Sequence, residues 1–278
     1  MDTVRTVDAL RTRISKWRGT GATVGLVPTM GGLHDGHLSL IRAAKGQTDL
    51  TVATLFVNPA QFALDEDLNA YPRDEARDQE LFVAEGTDLL FAPDVEEMYP
   101  VGHTTEVHVQ GLSQILEGEF RPRFFLGVAT VVSKLLLQVL PDAAFFGEKD
   151  YQQLLVIRRL VCDLNIPVEI VGAPTKREAN GLAMSSRNQY LNERERRAAP
   201  TLYATINQVA ESVRDGADAD KRCRWAVSRL TEAGFRQVDY VACCDAETLE
   251  PVKDSSRPAR VLAAAWLGKA RLIDNVAV

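Results

Sequence analysis

The sequence predicts an α/β protein in which a doubly wound parallel sheet is followed by a smaller α+β domain. Between residues 23 and 171, short apolar runs rich in β-formers alternate with segments of helical periodicity, which is typical of parallel sheets covered by helices. After Pro174 the pattern changes to a polar, turn-rich stretch, then two helical segments and three short strands. We therefore predict a Rossmann-like domain over residues 1–175 and a smaller domain over residues 176–278.

The first domain begins with a predicted amphipathic helix over residues 7–17, which ends near Gly19. A strand over residues 23–27 follows and is expected to end at Pro28. A glycine-containing loop then leads into a second helix. The later elements alternate in the same way: strand 50–56, helix 72–85, strand 88–91, helix 128–139, strand 143–146, helix 151–163 and strand 168–171.

The smaller domain is predicted to contain two helices and a small sheet packed on them. Helical patterns cover residues 193–213 and 219–233. Strand patterns follow at residues 238–243, 261–266 and 271–273.

Composition excludes several classes of protein. Of 278 residues, 46% are hydrophobic and 25% are charged, which argues against a disordered, collagen-like or coiled-coil chain. The net charge of −6 argues against nucleic acid or an anionic membrane as a partner. The four cysteines lack CxxC spacing, and neither a signal peptide nor a membrane-spanning run is evident. We expect a cytoplasmic protein.

The sharpest motif is PTMGGLHDGH, over residues 28–37, where a strand ends and a helix starts. Helix N-termini attract anions, and glycines let the backbone approach a phosphate closely. His34 and His37 share one face of the helix and could donate hydrogen bonds to a triphosphate. As alternatives, the two histidines cap the helix or form half of a metal site. Their combination with a strand and a glycine turn favours nucleotide binding.

Three further segments are candidate binding sites. Gly147–Asp150 again joins a strand end to a helix start, with Lys149 suited to phosphate and Asp150 to ribose hydroxyls or to a helix cap. The polar loop Met184–Arg187 offers two hydroxyls and a guanidinium. Asn58 and Gln61 follow the second strand of the alternation, and the Gln61 amide suits a hydroxy-acid. Taken singly, each segment could also be an ordinary cap or surface turn.

Together these motifs resemble one family. They are PTMGGLHDGHLSLI, FVNPAQF, DLNAYPRD, DLLFAPDVEEMYP, FFGEKDYQQL, GLAMSSRNQYL and GKARLIDN, in this order along nearly the whole chain. The chain is thus similar to the pantothenate synthetase (pantoate-beta-alanine ligase) family of the HxGH nucleotidyltransferase superfamily. HxGH alone marks only the superfamily, whereas FVNPAQF, GEKDYQQL and SSRN together are specific to the family.

The resemblance implies that ATP and D-pantoate form a pantoyl adenylate, which the amine of beta-alanine converts to pantothenate and AMP. It implies Mg²⁺ with the ATP, a homodimer, and a C-terminal domain that closes as a lid. His37, His34 and Lys149 would be catalytic, with His37 as the proton donor, and Gln61, Gln153 and Asn58 would bind substrate. The implied ATP-binding residues are Met30, Gly31, Gly32, Leu33, His34, Asp35, Gly36, His37, Gly147, Glu148, Lys149, Asp150, Lys176, Met184, Ser185, Ser186 and Arg187.

Several positions depart from the family pattern. Arg123 and Phe124 stand where the family usually has Gly-His, Lys176 stands where it often has Val, and Asn180 stands where it often has Asp. Two alternative functions are kept beside the one that the resemblance implies. One is an HxGH enzyme that transfers AMP or CMP to a phosphorylated acceptor, although the neutral Gln61 and Gln153 argue against such an acceptor. The other is a nucleotide-binding regulator without catalysis.

Overall fold

The computed structural model describes residues 1–62, 68, 71 and 73–278. The chain divides into two units. The first unit comprises residues 1–148 and 153–174, and the second comprises residues 149–152 and 175–278. The short segment 149–152 thus belongs with the C-terminal part of the chain, whereas the sequence-based division at residue 175 assigns it to the larger domain.

A parallel sheet of six strands forms the centre of the first unit. Its strands are β1 (Asp2–Val4), β2 (Val24–Thr29), β3 (Leu50–Leu55), β4 (Leu89–Phe91), β5 (Ala143–Gly147) and β6 (Glu169–Ala173). Their order across the sheet is β1-β4-β3-β2-β5-β6, and every neighbouring pair is parallel. The predicted parallel sheet is therefore confirmed.

Helices cover both faces of this sheet. They are α1 (Val7–Arg18), α2 (Asp35–Lys45), α3 (Glu75–Ala84), α4 (Val95–Met98), α5 (Glu117–Phe120), α6 (Phe124–Val139) and α7 (Tyr151–Asp163). Successive residues of β2 enter different cores: Leu26 packs in the core that contains residues of α1, α6 and α7, and Val27 packs in the core that contains residues of α2 and α3. No helix in the part of the chain described here is long and apolar enough to cross a membrane.

The second unit contains three helices and an antiparallel sheet. They are α8 (Glu193–Ala198), α9 (Thr201–Arg214), α10 (Ala219–Glu232), β7 (Gln237–Asp245), β8 (Ala259–Leu267) and β9 (Ala270–Ala277), with β8 in the middle of the sheet. One core joins the apolar faces of α9 and α10 to the sheet. The smaller α+β domain of the prediction is confirmed as a fold.

Two predicted elements are wrong in detail, and a proline is involved in both. The single helix predicted over residues 193–213 is two helices, because Pro200 lacks the N–H that a continuous helix needs and instead precedes α9. The strand predicted to end at Pro28 continues to Thr29. Pairing with β5 has already ended at Leu26, so a missing N–H at Pro28 interrupts no bond on that side.

Other boundaries shift by a few residues, and some short elements were not predicted. The predicted helix 72–85 begins at Glu75, where the side chain of Asp74 caps it by accepting from the Arg77 N–H, and Pro72 lies outside the described residues. The predicted helix 128–139 begins at Phe124. Strand β1 has three residues, and α4 and α5 have four each, which is too short for a periodic pattern.

Gly127 in α6 tests how tightly this helix packs against the turn after β3. A Cβ at Gly127 would lie 2.2 Å from the carbonyl oxygen of Ala60, so Gly127→Ala must displace backbone. We expect it to lower the free energy of unfolding by about 1–3 kcal/mol in denaturant titrations. Gly46→Ala is the control, because its Cβ would make only ordinary contacts at 3.5 Å. Equal stabilities of the two variants would contradict this packing.

Candidate functional site

The loop after β2 brings two glycines and two histidines to the start of α2. Gly31 and Gly32 have φ angles of +88° and +63°, in the left-handed region that side chains disfavour. A Cβ at Gly31 would also lie 2.8 Å from both Asp78 and Leu55. The chain can therefore turn from the strand into the helix only with glycine here. His34 is the N-cap of α2, and His37 lies in its first turn.

The two imidazoles cap α2 reciprocally through their Nδ1 atoms. Nδ1 of His34 accepts a hydrogen bond from the Gly36 N–H at 3.1 Å, and Nδ1 of His37 accepts one from the His34 N–H at 3.3 Å. A ring nitrogen that accepts carries no proton, so in each neutral ring the proton lies on Nε2. The ring centroids are 4.1 Å apart. Both histidines are therefore caps and also Nε2 donors, and the two predicted roles are compatible.

Asp78 of α3 holds the glycine loop and was missed from the sequence. Its carboxylate accepts hydrogen bonds from the N–H groups of Gly32 and Leu33, each at 2.9 Å. Burial raises the pKa of the Asp78 carboxyl, while the two backbone hydrogen bonds act in the opposite direction. Asp78 lies on the same face of α3 as the buried Phe82. An acidic residue on an apolar helix face is the sequence feature that could have identified it, because a buried carboxylate needs hydrogen-bond partners.

The turn after β3 contains a second hydrogen-bond network. Because β2 and β3 are paired parallel neighbours, this turn and the glycine loop lie at the same edge of the sheet. Asn58 Nδ2 donates to Gln61 Oε1 at 2.9 Å, and the Tyr99 hydroxyl donates to Asn58 Oδ1 at 2.8 Å. The Gln61 oxygen is thus engaged by the protein, and the hydrogen-bond donors of this side chain are on its Nε2. Tyr99 was also missed.

The unusual Phe124 has a defined place in the first unit. The Arg121 guanidinium lies 3.8 Å from the centre of the Phe124 ring and donates to the backbone carbonyl of Gln61 at 3.2 Å. Arg121 also pairs with Glu117 at 3.3 Å, and both side chains are largely buried. Arg123, in contrast, is exposed and pairs with Glu106. Phe124 therefore supports an arginine that is bonded to the residue predicted to bind substrate.

The carboxyl end of β5 lies on the other side of β2. A Cβ at Gly147 would meet no atom within 4 Å, so this glycine borders open space at the strand end. Glu148 follows in a short helical turn, and Gln153 lies half-buried on α7. Within the first unit, the predicted residues are thus carried by the carboxyl ends of three adjacent strands and by the elements that follow them.

The second unit brings Lys149 and Ser185 to one small cavity, which Tyr203 and Asp274 also line. Asp150 lies beside Lys149, with 3.7 Å between the carboxylate and the ammonium. Ser185 caps the turn Ser186–Tyr190 by accepting from the Arg187 N–H at 3.2 Å. Met184, Ser185, Ser186 and Arg187 are half-buried.

Residues 176–184 form a turn that contains Lys176 and Asn180, two of the residues that depart from the family pattern. The backbone carbonyl of Lys176 accepts from the Met184 N–H at 2.9 Å, and the Lys176 side chain is exposed. Asn180 accepts from the Leu182 N–H at 3.0 Å, which an aspartate could do equally. These departures from the family pattern therefore leave the backbone hydrogen bonds in place.

A buried ion pair fastens this turn to β9. Arg177 donates to the two carboxylate oxygens of Asp274 at 2.6 and 2.9 Å, and its guanidinium lies 3.6 Å from the centre of the Tyr203 ring. Burial raises the pKa of Asp274, and the hydrogen bonds and charge of Arg177 oppose that shift. Asp274 belongs to the motif GKARLIDN, to which the sequence analysis assigned no role.

Comparison with known proteins gives matches over the whole chain. A family model described as pantoate-beta-alanine ligase matches residues 2–277. The pantothenate synthetase of Paramagnetospirillum magneticum is 54% identical over 275 residues, covering 99% of this chain and 97% of that protein. The pantothenate synthetase of Rhizorhabdus wittichii is 52% identical over 278 residues, covering 100% of this chain and 99% of that protein.

Solved structures agree with the sequence matches. The crystal structure of pantothenate synthetase from Thermus thermophilus superposes with a TM-score of 0.94 at 48% identity, covering 99% of both chains. That of a pantoate-beta-alanine ligase from Francisella tularensis, complexed with beta-gamma ATP and beta-alanine, has a TM-score of 0.84 at 31% identity. It covers 100% of this chain and 97% of the other.

Asp78→Asn tests the anchor of the glycine loop. An amide has only one acceptor oxygen, so one of the two loop N–H groups would face an NH₂ group instead. We expect the free energy of unfolding to fall by about 1–3 kcal/mol, measured by denaturant titration. Glu75→Gln on the same helix changes an exposed ion pair and should cost at most about 1 kcal/mol. If Asp78→Asn were as stable as Glu75→Gln, Asp78 would not be what holds the glycine loop.

Proposed function

The chain belongs to the pantoate-beta-alanine ligase family, and we propose that it joins D-pantoate to beta-alanine with ATP as the third substrate. The family inferred from the motifs is confirmed by the match over residues 2–277. Neither an HxGH enzyme for a phosphorylated acceptor nor a regulator without catalysis finds support in these relatives.

The reaction has two steps. A carboxylate oxygen of pantoate attacks the α-phosphorus of ATP, and the bond to pyrophosphate breaks, leaving pantoyl adenylate. The amine of beta-alanine then attacks the acyl carbon, the bond from that carbon to the AMP oxygen breaks, and the amine loses a proton. The first step gathers negative charge on phosphate oxygens, so hydrogen-bond donors and cations placed there lower its barrier.

The observation that carries the proposal is the reciprocal cap at the start of α2. It fixes His34 and His37 as Nε2 donors beside a glycine loop and a helix N-terminus, where an anion is favoured. We assign both histidines to the ATP phosphates, with His37 as the proton donor. Met30, Gly31, Gly32, Leu33, Asp35 and Gly36 would complete this part of the ATP site.

The pantoate site would be formed by Gln61, Gln153 and Asn58. The Asn58 amide holds the Gln61 oxygen, so the Gln61 NH₂ group is the donor for a pantoate hydroxyl or carboxylate. Arg121 bonds the Gln61 backbone. This support is present although Phe124 replaces the usual histidine.

The remaining ATP contacts would come from Gly147, Glu148, Lys149, Asp150, Lys176, Met184, Ser185, Ser186 and Arg187. Lys149 and Arg187 suit phosphate, and Asp150 suits the ribose. Lys176 would act through its backbone, which explains why an exposed lysine is tolerated there. We propose that residues 176–278 serve as the lid, which would exclude water from the labile adenylate.

Magnesium enters the proposal as part of the MgATP substrate. This hard cation binds phosphate oxygens and keeps few protein ligands. Among the residues that the structure describes, no group of three His, Cys, Asp or Glu side chains could hold a metal ion. We therefore assign no residue to it.

A homodimer in the cytoplasm completes the proposal. The support for both is the family resemblance, and the cysteines are compatible with a reducing compartment. Cys162, Cys223, Cys243 and Cys244 are free thiols. Burial raises the pKa of Cys223 to about 12 and that of Cys243 to about 11, which keeps both protonated.

Pyrophosphate release from MgATP tests the proposed reaction. We expect release to require D-pantoate and to become multiple-turnover only when beta-alanine is added. His37→Ala should lower its rate by about 10²–10³, the usual cost of removing a donor to the reacting group. ATP binding without pantoate-dependent release would contradict the proposal and favour another acceptor or a regulator.

His34→Asn separates the capping role of this residue from its chemical role. Asparagine is a good N-cap, so it keeps a bond to the Gly36 N–H and the stability of α2 while removing the imidazole. The rate of pyrophosphate release should fall by about 10²–10³, with an unchanged unfolding midpoint. A variant that is as active as the original chain would show that His34 serves only as a cap.

A further inference from the structure

The backbone of Lys149 is hydrogen-bonded to a side chain of β9, the last strand of the chain. Nδ2 of Asn275 in β9 donates a hydrogen bond to the backbone carbonyl of Lys149 at 3.0 Å. Asn275 is only 4% exposed, so its amide is shielded from competing water. Lys149 lies in the short turn Glu148–Asp150 that precedes α7. The bond therefore joins the closing motif GKARLIDN to the lysine assigned to phosphate.

Arg260 of β8 sets the orientation of the Asn275 amide. Its guanidinium donates to Asn275 Oδ1, so the Asn275 NH₂ group is the end that faces Lys149. The same guanidinium lies 3.8 Å from the centre of the Tyr151 ring. Tyr151 in turn donates through its hydroxyl to the carbonyl of Ala246 at 2.9 Å. Residues 149 and 151 are thus both fastened to the C-terminal sheet.

Two carboxylates lie near the Lys149 ammonium, those of Asp150 and Asp274. The buried carboxylate of Asp274 is engaged through both oxygens by Arg177. The Asp150 carboxylate lies 3.7 Å from the ammonium, but its side chain is 42% exposed, so solvent weakens the attraction. A lysine side chain is long and flexible, and an anchored backbone restricts where its ammonium can reach.

We propose that Asn275 and Arg260 are positioning residues that fix the Lys149 backbone for the adenylation step. The inference rests on the proposed function, in which Lys149 meets the phosphates of ATP. The Asn275 amide is bonded to the Lys149 carbonyl and to Arg260. It acts through Lys149, so its loss should affect the rate of adenylation more than the binding of pantoate.

Asn275→Leu provides the first test, because leucine has a similar volume and no donor for the Lys149 carbonyl. We expect kcat for pantoate-dependent pyrophosphate release to fall about 10- to 100-fold, with an unchanged KM for pantoate. Asn275→Asp keeps an acceptor for Arg260 but also lacks the donor to the Lys149 carbonyl, so it should show the same fall in kcat. If neither Asn275 variant folds, Arg260→Met is tested in their place. Thr205→Val, a buried change in α9 of the same unit, should leave kcat unchanged.

A double-mutant cycle distinguishes positioning from general damage. If Asn275 acts through Lys149, then Asn275→Leu should cause no further loss of rate in a Lys149→Met background. An equal loss in both backgrounds, or a single variant with unchanged kcat, would overturn the proposal.

Hydrogen exchange gives a readout that does not depend on activity. Amides of residues 149–152 should exchange faster in Asn275→Leu than in the original chain, while those of α9 should not change. Unchanged exchange at residues 149–152 would overturn the positioning role even in an active enzyme. If the original chain released no pyrophosphate, the proposed function would fail, and the exchange result would still decide whether Asn275 holds this segment.

Discussion

The reciprocal hydrogen bonds between His34, His37 and the backbone at the start of α2 are the constraint on which the rest of the site depends. The first N–H groups of a helix lack partners within it, and here imidazole nitrogens satisfy two backbone N–H groups at this end. Because folding engages Nδ1, the neutral tautomer is fixed and Nε2 becomes the donor. The same two side chains thus begin the helix and hold their Nε2 atoms as donors at its N-terminus, where an anion is favoured.

Similar support is present at three other places that carry candidate site residues. Asp78 holds the glycine loop, Asn58 engages the oxygen of Gln61, and Asn275 holds the carbonyl of Lys149. In each case a buried polar group forms a hydrogen bond to a neighbour and fixes that neighbour's orientation. A buried polar group costs free energy unless it is hydrogen-bonded, so each of these side chains is held to its particular partner. Preorganisation of this kind is what phosphoryl-transfer chemistry requires.

The fold was predictable, and the candidate site residues could be named, because both depend on local patterns in the sequence. Alternating apolar periodicity indicated the parallel sheet, and the glycine-histidine and lysine motifs stand next to the strand ends. Two of the supporting residues, Asp78 and Asn275, were missed, because each meets its partner across a long separation: 46 residues from Asp78 to Gly32, and 126 from Asn275 to Lys149. The end of β2 was mispredicted for a related reason. Whether Pro28 ends the strand depends on where the neighbouring strand β5 stops pairing, which the local sequence does not show.

The histidine tautomers test the central claim most directly. With ¹⁵N labelling, NMR correlations within the imidazole rings distinguish protonated from unprotonated ring nitrogens, and only four histidines need assignment. At a pH where the rings are neutral, the structure predicts the proton on Nε2 in both His34 and His37, with a change in the Nε2 shift when MgATP is added. A proton on Nδ1 in either ring would contradict the reciprocal cap and the phosphate role derived from it.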